Sequence, residues 1–178
     1  IYFHDTYFVV AHFHYTFFPI AFIGSFAGIT YWFPKMFGRM MNETLGKIHF
    51  WGTFVAFHAI FLPLFVSGLA GQHRRIYDYT NFPELWTPEL QAVGAFATIS
   101  TVVLLAFQPI FLFNLVYSIF KGPAAGNNPW HANTLEWQCP SPPPHGNFGH
   151  DLPTVYRGPY EYSVPGRTQD YWPQNEPG

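Results

Sequence analysis

The sequence predicts an all-α membrane protein, with three transmembrane helices followed by an extended, proline-rich tail. Charged residues make up 10% of its 178 residues, against about 25% in a soluble domain. Lys, Arg, Asp and Glu are absent from Thr6 to Pro34, from Ile48 to His73 and from Leu90 to Phe120, runs of 29, 26 and 31 residues. A hydrocarbon core about 30 Å thick needs about 20 helical residues, so each run is long enough to cross it. No alternation of polar and apolar residues in strands of about ten marks a transmembrane barrel. The composition, with a net charge of −2 and Cys139 as the lone cysteine, also excludes an ordinary soluble domain, a basic nucleic-acid binder and a disulfide scaffold. The chain opens at Ile1 without an initiator methionine, and is expected to be a piece of a longer protein or one half of a split one.

In order, the chain reads as an outer loop over 1–7, a first span over 8–34, a cytoplasmic loop over 35–47 and a second span over 48–71. An outer loop over 72–89, a third span over 90–120 and a cytoplasmic tail over 121–178 follow. Gly24, Gly28, Gly52, Gly68, Gly71 and Gly94 are expected points of close helix contact, Gly24 and Gly28 as a small-xxx-small pair. Pro19, Pro63 and Pro109 each remove a backbone donor inside a span and are expected to kink it. Trp32, Trp51 and Trp86 fall near span ends, where aromatic belts belong. Lys35, Arg39 and Lys47 in the first loop and Lys121 after the third span outweigh Arg74 and Arg75, which puts the first loop and the tail on the cytoplasmic side. The tail, with Pro142-Pro143-Pro144, has no helical period; it is expected to bury little core and to lie extended on neighbouring subunits. His131, Cys139, His145 and His150 within it fit no zinc spacing.

Chemistry concentrates at the start of the first span. Intramembrane histidines are costly and usually functional. His12 and His14 are separated by about 200° around a helix, so they face opposite sides and cannot chelate one ion. That arrangement suits a helix wedged between two metal centres, each taking one imidazole, with Phe13 between them. The other reading is two histidines hydrogen-bonded to neighbouring helices. His4 and Asp5 precede the helix and suit a hard or borderline cation such as Mg²⁺ or Mn²⁺; alternatively Asp5 is an N-cap. Arg74 and Arg75, at the same outer face, suit pairing with carboxylates, or else are a solvated or lipid-facing basic pair.

The segment His4-Asp5-Thr6-Tyr7-Phe8-Val9-Val10-Ala11-His12-Phe13-His14-Tyr15 resembles the signature of subunit I of the haem–copper oxidases, the cytochrome c oxidase family. The likeness continues through Tyr31-Trp32-Phe33-Pro34, Asn42-Glu43-Thr44, Lys47-Ile48-His49-Phe50, Gly71, Arg74-Arg75, Asn133-Thr134-Leu135-Glu136-Trp137 and Pro142-Pro143-Pro144. The resemblance is read as far as about Phe148.

The resemblance implies the C-terminal part of subunit I, its spans being the last three of a larger helical bundle. It implies His12 as the catalytic residue, proximal ligand of a high-spin haem iron, and His14 as an axial ligand of a low-spin haem iron. Phe13 would pack between the haems, and Arg74 and Arg75 would hold their propionates. His4 and Asp5 match a Mg or Mn site shared with subunit II, and Asp78 falls near a Na or Ca position of some members. The implied cofactors are two haems of the A type, Mg or Mn, and the copper of the binuclear centre, whose ligands lie outside this segment. The implied partners are the remainder of subunit I, subunit II with its copper electron entry, subunit III, cytochrome c, O2 and the lipid bilayer; nucleic acid is not one. The implied activity is that of a proton-translocating oxidase, complete only in the whole complex. The implied setting is the bacterial cytoplasmic membrane, with the mitochondrial inner membrane as the other. Leu64-Phe65, Gln72-His73 and Pro19 depart from the common pattern. A quinol oxidase shares the paired histidines but commonly lacks the outer aspartate. A nitric oxide reductase fits the His4-to-Thr6 stretch and the tail poorly. A non-catalytic scaffold or transporter segment is the reading from another class.

Overall fold

A computed structural model describes residues 2–170 and 172–177. It is helical, with no strands among the described residues beyond two isolated bridges. The helices are α1 (Tyr7–Phe18), α2 (Gly24–Phe37), α3 (Glu43–Leu69) and α4 (Pro88–Lys121). A π-turn, Pro19–Ile23, joins α1 to α2, so Tyr7–Phe37 runs as one 31-residue span beside spans of 27 and 34 residues. All three are long and apolar enough to cross a membrane.

Local chemistry explains the ends. Thr6 caps α1, its Oγ1 accepting from Phe8 N at 3.3 Å. Pro88 opens α4 where its missing N–H costs nothing. At the end of α3, Gln72 N donates to Ser67 O (3.0 Å) and Gly71 N to Gly68 O (3.1 Å), with Gly71 at φ 89°. This pair of bonds is a Schellman cap, which needs a left-handed residue at that place. Of the three prolines expected to kink, Pro19 changes the helix type: Gly24 N reaches back to Pro19 O. Pro63 and Pro109 sit inside unbroken α-helical runs.

The chain divides into two compact units, one built from Ile1–Ala27 and Glu43–Asn114, the other from Gly28–Asn42 and Leu115–Gly178. In the first, α1 lies on α3 with no room for a side chain at Gly68. A Cβ there would sit 2.0 Å from Phe8 N. Gly52 is a second close approach, since its Cβ would meet the Phe107 ring of α4 at 2.2 Å. Gly24 and Gly28 are not contacts of this kind: an added Cβ meets only atoms of their own helix run, at 3.4 Å or more. Between α3 and α4, His49 Nε2 lies 3.3 Å from Gln108 Oε1, and Gln108 Nε2 donates to Thr53 Oγ1 at 3.2 Å. Interhelical hydrogen bonds of this type are a common adhesive in spans, where burial supplies no driving force between apolar helices.

In the second unit, the tail buries few of its described residues, as expected, and is tied down by donors at a helix end. Lys35 is buried; its Nζ donates to Cys139 O (2.7 Å) and Asn127 O (3.0 Å) and lies over the Trp137 ring. Arg39 Nη1 donates to Gly122 O at 2.6 Å, and Met40 N to Pro123 O at 2.9 Å. Trp137 is 1% exposed, and the buried amides Asn133 and Gln174 bond to tail backbone. Farther on, the guanidiniums of Arg157 and Arg167 lie 3.4 and 3.7 Å from the Trp172 ring. Apart from the 3₁₀ turn Leu135–Trp137 the tail remains irregular.

Gly68→Ala should therefore lower the midpoint of detergent-induced unfolding of the whole protein, since overpacking costs about 1–3 kcal/mol. Gly94→Ala, whose Cβ would meet the Trp86 ring at 3.4 Å, should be neutral or stabilising. Equal shifts in the two would refute the close approach at Gly68. Lys35→Met should open the tail. It removes a charged donor from two carbonyls, and about 1.4 kcal/mol is already a tenfold change. Limited proteolysis between residues 122 and 140 should accelerate by about tenfold or more, and an unchanged cleavage rate would contradict the clamp.

Candidate functional site

The site lies in the first unit, where the chain ahead of α1 meets the chain leaving α3. Thr6 and His73 form an antiparallel bridge. Tyr7 N donates to Gln72 O (3.0 Å) and Arg74 N to Asp5 O (2.8 Å). This brings together two pairs that the sequence holds far apart. Arg74 Nε and Nη2 both donate to Asp5 Oδ1, at 3.0 and 2.8 Å. His4 Nε2 lies 3.1 Å from the other oxygen, Asp5 Oδ2. Arg75 Nη1 is 4.0 Å from Oδ1, and its side chain is 76% exposed. The Arg74 hydrogen bond, aided by the charges of His4 and the two arginines, holds the Asp5 carboxyl below the usual carboxylate range. Asp5 and Arg75 both occupy the left-handed region, φ 56° and 68°. Non-glycine residues there are strained, and such strain gathers at functional sites.

The His4–Asp5 pair suits a cation. Its imidazole nitrogen and carboxylate oxygen lie 3.1 Å apart, and both are ligand types that a Mg or Mn ion would accept. Among the described residues no group of three or more His, Cys, Asp or Glu gathers as a metal cage, so any further ligands come from outside them. Asp78, the expected Na or Ca position, lies in the loop after α3. It caps the 3₁₀ turn Tyr79–Asn81, accepting from Thr80 N, Thr80 Oγ1 and Asn81 Nδ2, and the Thr80 bonds lower its carboxyl pKa. Tyr79 stacks on Trp86 and donates to His73 O; burial pushes its phenol up.

About two turns into α1, His14 Nδ1 lies 2.8 Å from Val10 O. A carbonyl only accepts, so Nδ1 is the donor, and a ring protonated there alone can offer a lone pair on Nε2. The imidazole stacks on Phe61 of α3, centroids 4.4 Å apart and planes 18° apart, and on Phe13 at 4.5 Å and 29°. His12 is exposed and makes no hydrogen bond or ring contact among the described residues. α1 is regular through both, so the two rings leave it on opposite sides. One free Nε2 on one side and an unpartnered imidazole on the other fit two separate haem irons. Arg75, exposed and only loosely paired, fits a propionate; Arg74 is already bound to Asp5.

The sequence did not identify the Val10 carbonyl or Phe61. A histidine inside a helix always has an i−4 carbonyl above it, which was the available signal for the first. It also passed over His58, whose Nδ1 lies 2.9 Å from Phe54 O and whose ring meets the edge of Tyr15.

Residues 1–106 match the family model described as cytochrome c and quinol oxidase polypeptide I. The chain is 47% identical over 174 residues to the alternative cytochrome c oxidase subunit 1 of Bradyrhizobium diazoefficiens, covering 97% of this chain and 29% of that protein. It is 44% identical over 164 residues to the cytochrome c oxidase subunit 1 of Synechocystis, covering 92% of this chain and 28% of the relative. The Bacillus subtilis subunit 1 is 44% identical over 155 residues, 86% of this chain and 24% of its own length. The chain thus spans less than a third of the relatives it matches, and with the family model covering well over half of it, it belongs to the cytochrome c and quinol oxidase polypeptide I family.

Proposed function

We propose that this chain is the C-terminal part of the catalytic subunit of a terminal respiratory oxidase, which takes electrons from cytochrome c, reduces O2 to water and moves protons across the membrane. The observation that carries the reading is the histidine pair on α1: His14 with Nδ1 committed to Val10 O, and His12 unpartnered on the opposite side. When bound, two haems of the A type and a copper held by residues outside this segment supply the electron-transfer and oxygen chemistry. His14 would hold the low-spin haem iron through Nε2, with its tautomer and ring orientation fixed by the Val10 carbonyl. His12 offers its imidazole to the high-spin haem iron, and Phe13 separates the two sites. Arg75 neutralises propionate charge, with Arg74 behind it. His4 and Asp5 contribute two ligands to a Mg or Mn ion, completed by subunit II. Asp5 also favours a cytochrome c oxidase over a quinol oxidase, in keeping with the relatives' names.

In this reading the His4–Asp5 end faces outward and the α2 end and tail face the cytoplasm, in line with the Lys and Arg bias. The remainder of subunit I, subunit II and subunit III cover the apolar faces that the three spans leave open. The bacterial relatives favour the bacterial cytoplasmic membrane.

Absorption spectra of the assembled complex test the histidine roles. His12→Ala should remove the high-spin haem signal and leave most of the low-spin one; His14→Ala should do the reverse. Joint loss of both signals in each variant, with protein levels intact, would refute separate haems. Asp5→Ala should abolish the electron paramagnetic resonance of manganese taken up during growth in excess Mn, with haem content unchanged. A persistent manganese signal would return Asp5 to a purely structural pairing with Arg74.

A further inference from the structure

We infer that Phe61 of α3 is a positioning residue that sets the plane of the His14 imidazole. The inference rests on reading His14 as a haem ligand. An imidazole bound through Nε2 alone keeps one freedom, rotation about the axis through that bond. The hydrogen bond from Nδ1–H to Val10 O opposes rotation, but the angular distribution at a carbonyl oxygen is broad, so it leaves a wide arc. A ring stacked flat on the imidazole closes that arc, because rotation would drive the imidazole edge into it.

Two rings are stacked in this way, Phe61 at 4.4 Å and 18° and Phe13 at 4.5 Å and 29°. Two phenyl rings this close and this nearly parallel cannot share one face of an imidazole, so they cover both. They are not equivalent. Phe13 is the neighbouring residue and moves with the helix that carries His14. Phe61 arrives from α3, and Phe57 braces it at 4.9 Å. Its place relative to His14 is fixed by the backbone approach at Gly68 and the Thr6–His73 bridge. Phe61 therefore refers the imidazole plane to a second helix. The orientation of an axial imidazole splits the iron d orbitals of a low-spin ferric haem, so it is read in the electron paramagnetic resonance g values, independently of turnover.

The test uses the whole oxidase complex, oxidised and frozen. The wild type should show a low-spin signal that is absent from His14→Ala. Phe61→Leu should keep low-spin haem content but move the largest g value by more than the wild-type linewidth and broaden it. Phe61→Tyr, which keeps a flat ring, should restore the wild-type value. Should Phe61→Leu fail to assemble, Phe61→Met carries the same expectation. Wild-type g values in Phe61→Leu or Phe61→Met at full haem content overturn the assignment, as does a Phe61→Tyr signal that follows the aliphatic variants. A wild-type complex with no His14-dependent low-spin signal overturns the haem reading itself, and Phe61 with it; the two failures are thereby distinguishable.

Discussion

The register of α1 on α3 is set by backbone, and the rest of the site follows from it. At Gly68 the two helices approach so closely that a single added carbon would overlap Phe8 N. Four residues on, Gln72 O takes the N–H of Tyr7, one of the four donors that the start of any helix leaves without an internal partner. The end of α3 satisfies its own carbonyls through the cap at Gly71 and then supplies the missing acceptor to α1. Sliding either helix by one residue would strand these polar groups in an apolar setting, where each costs several kcal/mol.

That register decides where charge can sit. The bridge places Asp5 beside Arg74, and the carboxylate divides its two oxygens: Oδ1 to the guanidinium, Oδ2 toward His4. One residue can thus anchor the basic pair and still offer an oxygen to a cation. The cost is a left-handed backbone at Asp5 and again at Arg75, of order 1–3 kcal/mol each, held in place by the bridge between them.

The spans were legible because buried helices of soluble proteins seldom run so long without a charge. The histidine pair was legible because two residues along a helix dictate opposite faces. The Asp5–Arg74 pairing was not, since it joins positions 69 apart through a backbone bridge with no sequence signature. Nor was the difference among the prolines. All three lack the same donor, but only at Pro19 does the helix take up a wider turn. Glycine spacing misled in the same way: at the small-xxx-small pair Gly24 and Gly28 an added Cβ meets only its own helix run, while Gly52 and Gly68, which belong to no Gly-xxx-Gly pair, approach a neighbouring helix closely.

The tail shows what a composition argument leaves out. Periodicity sees prolines and glycines and finds no face to bury, yet an irregular segment folds when its carbonyls have donors and its aromatics have a floor. Between Gly122 and Tyr156 the tail has no Lys or Arg of its own. The donors come from the end of α2: Lys35 takes the carbonyls of Asn127 and Cys139, and Arg39 takes that of Gly122. Two of the cations that weigh in the topology count are therefore satisfied by peptide dipoles, one of them buried, so charges counted for orientation also tie down the segment that follows the spans. Lys35 suits this double use, for a compact ammonium with three donors can serve two carbonyls and still lie over the Trp137 ring.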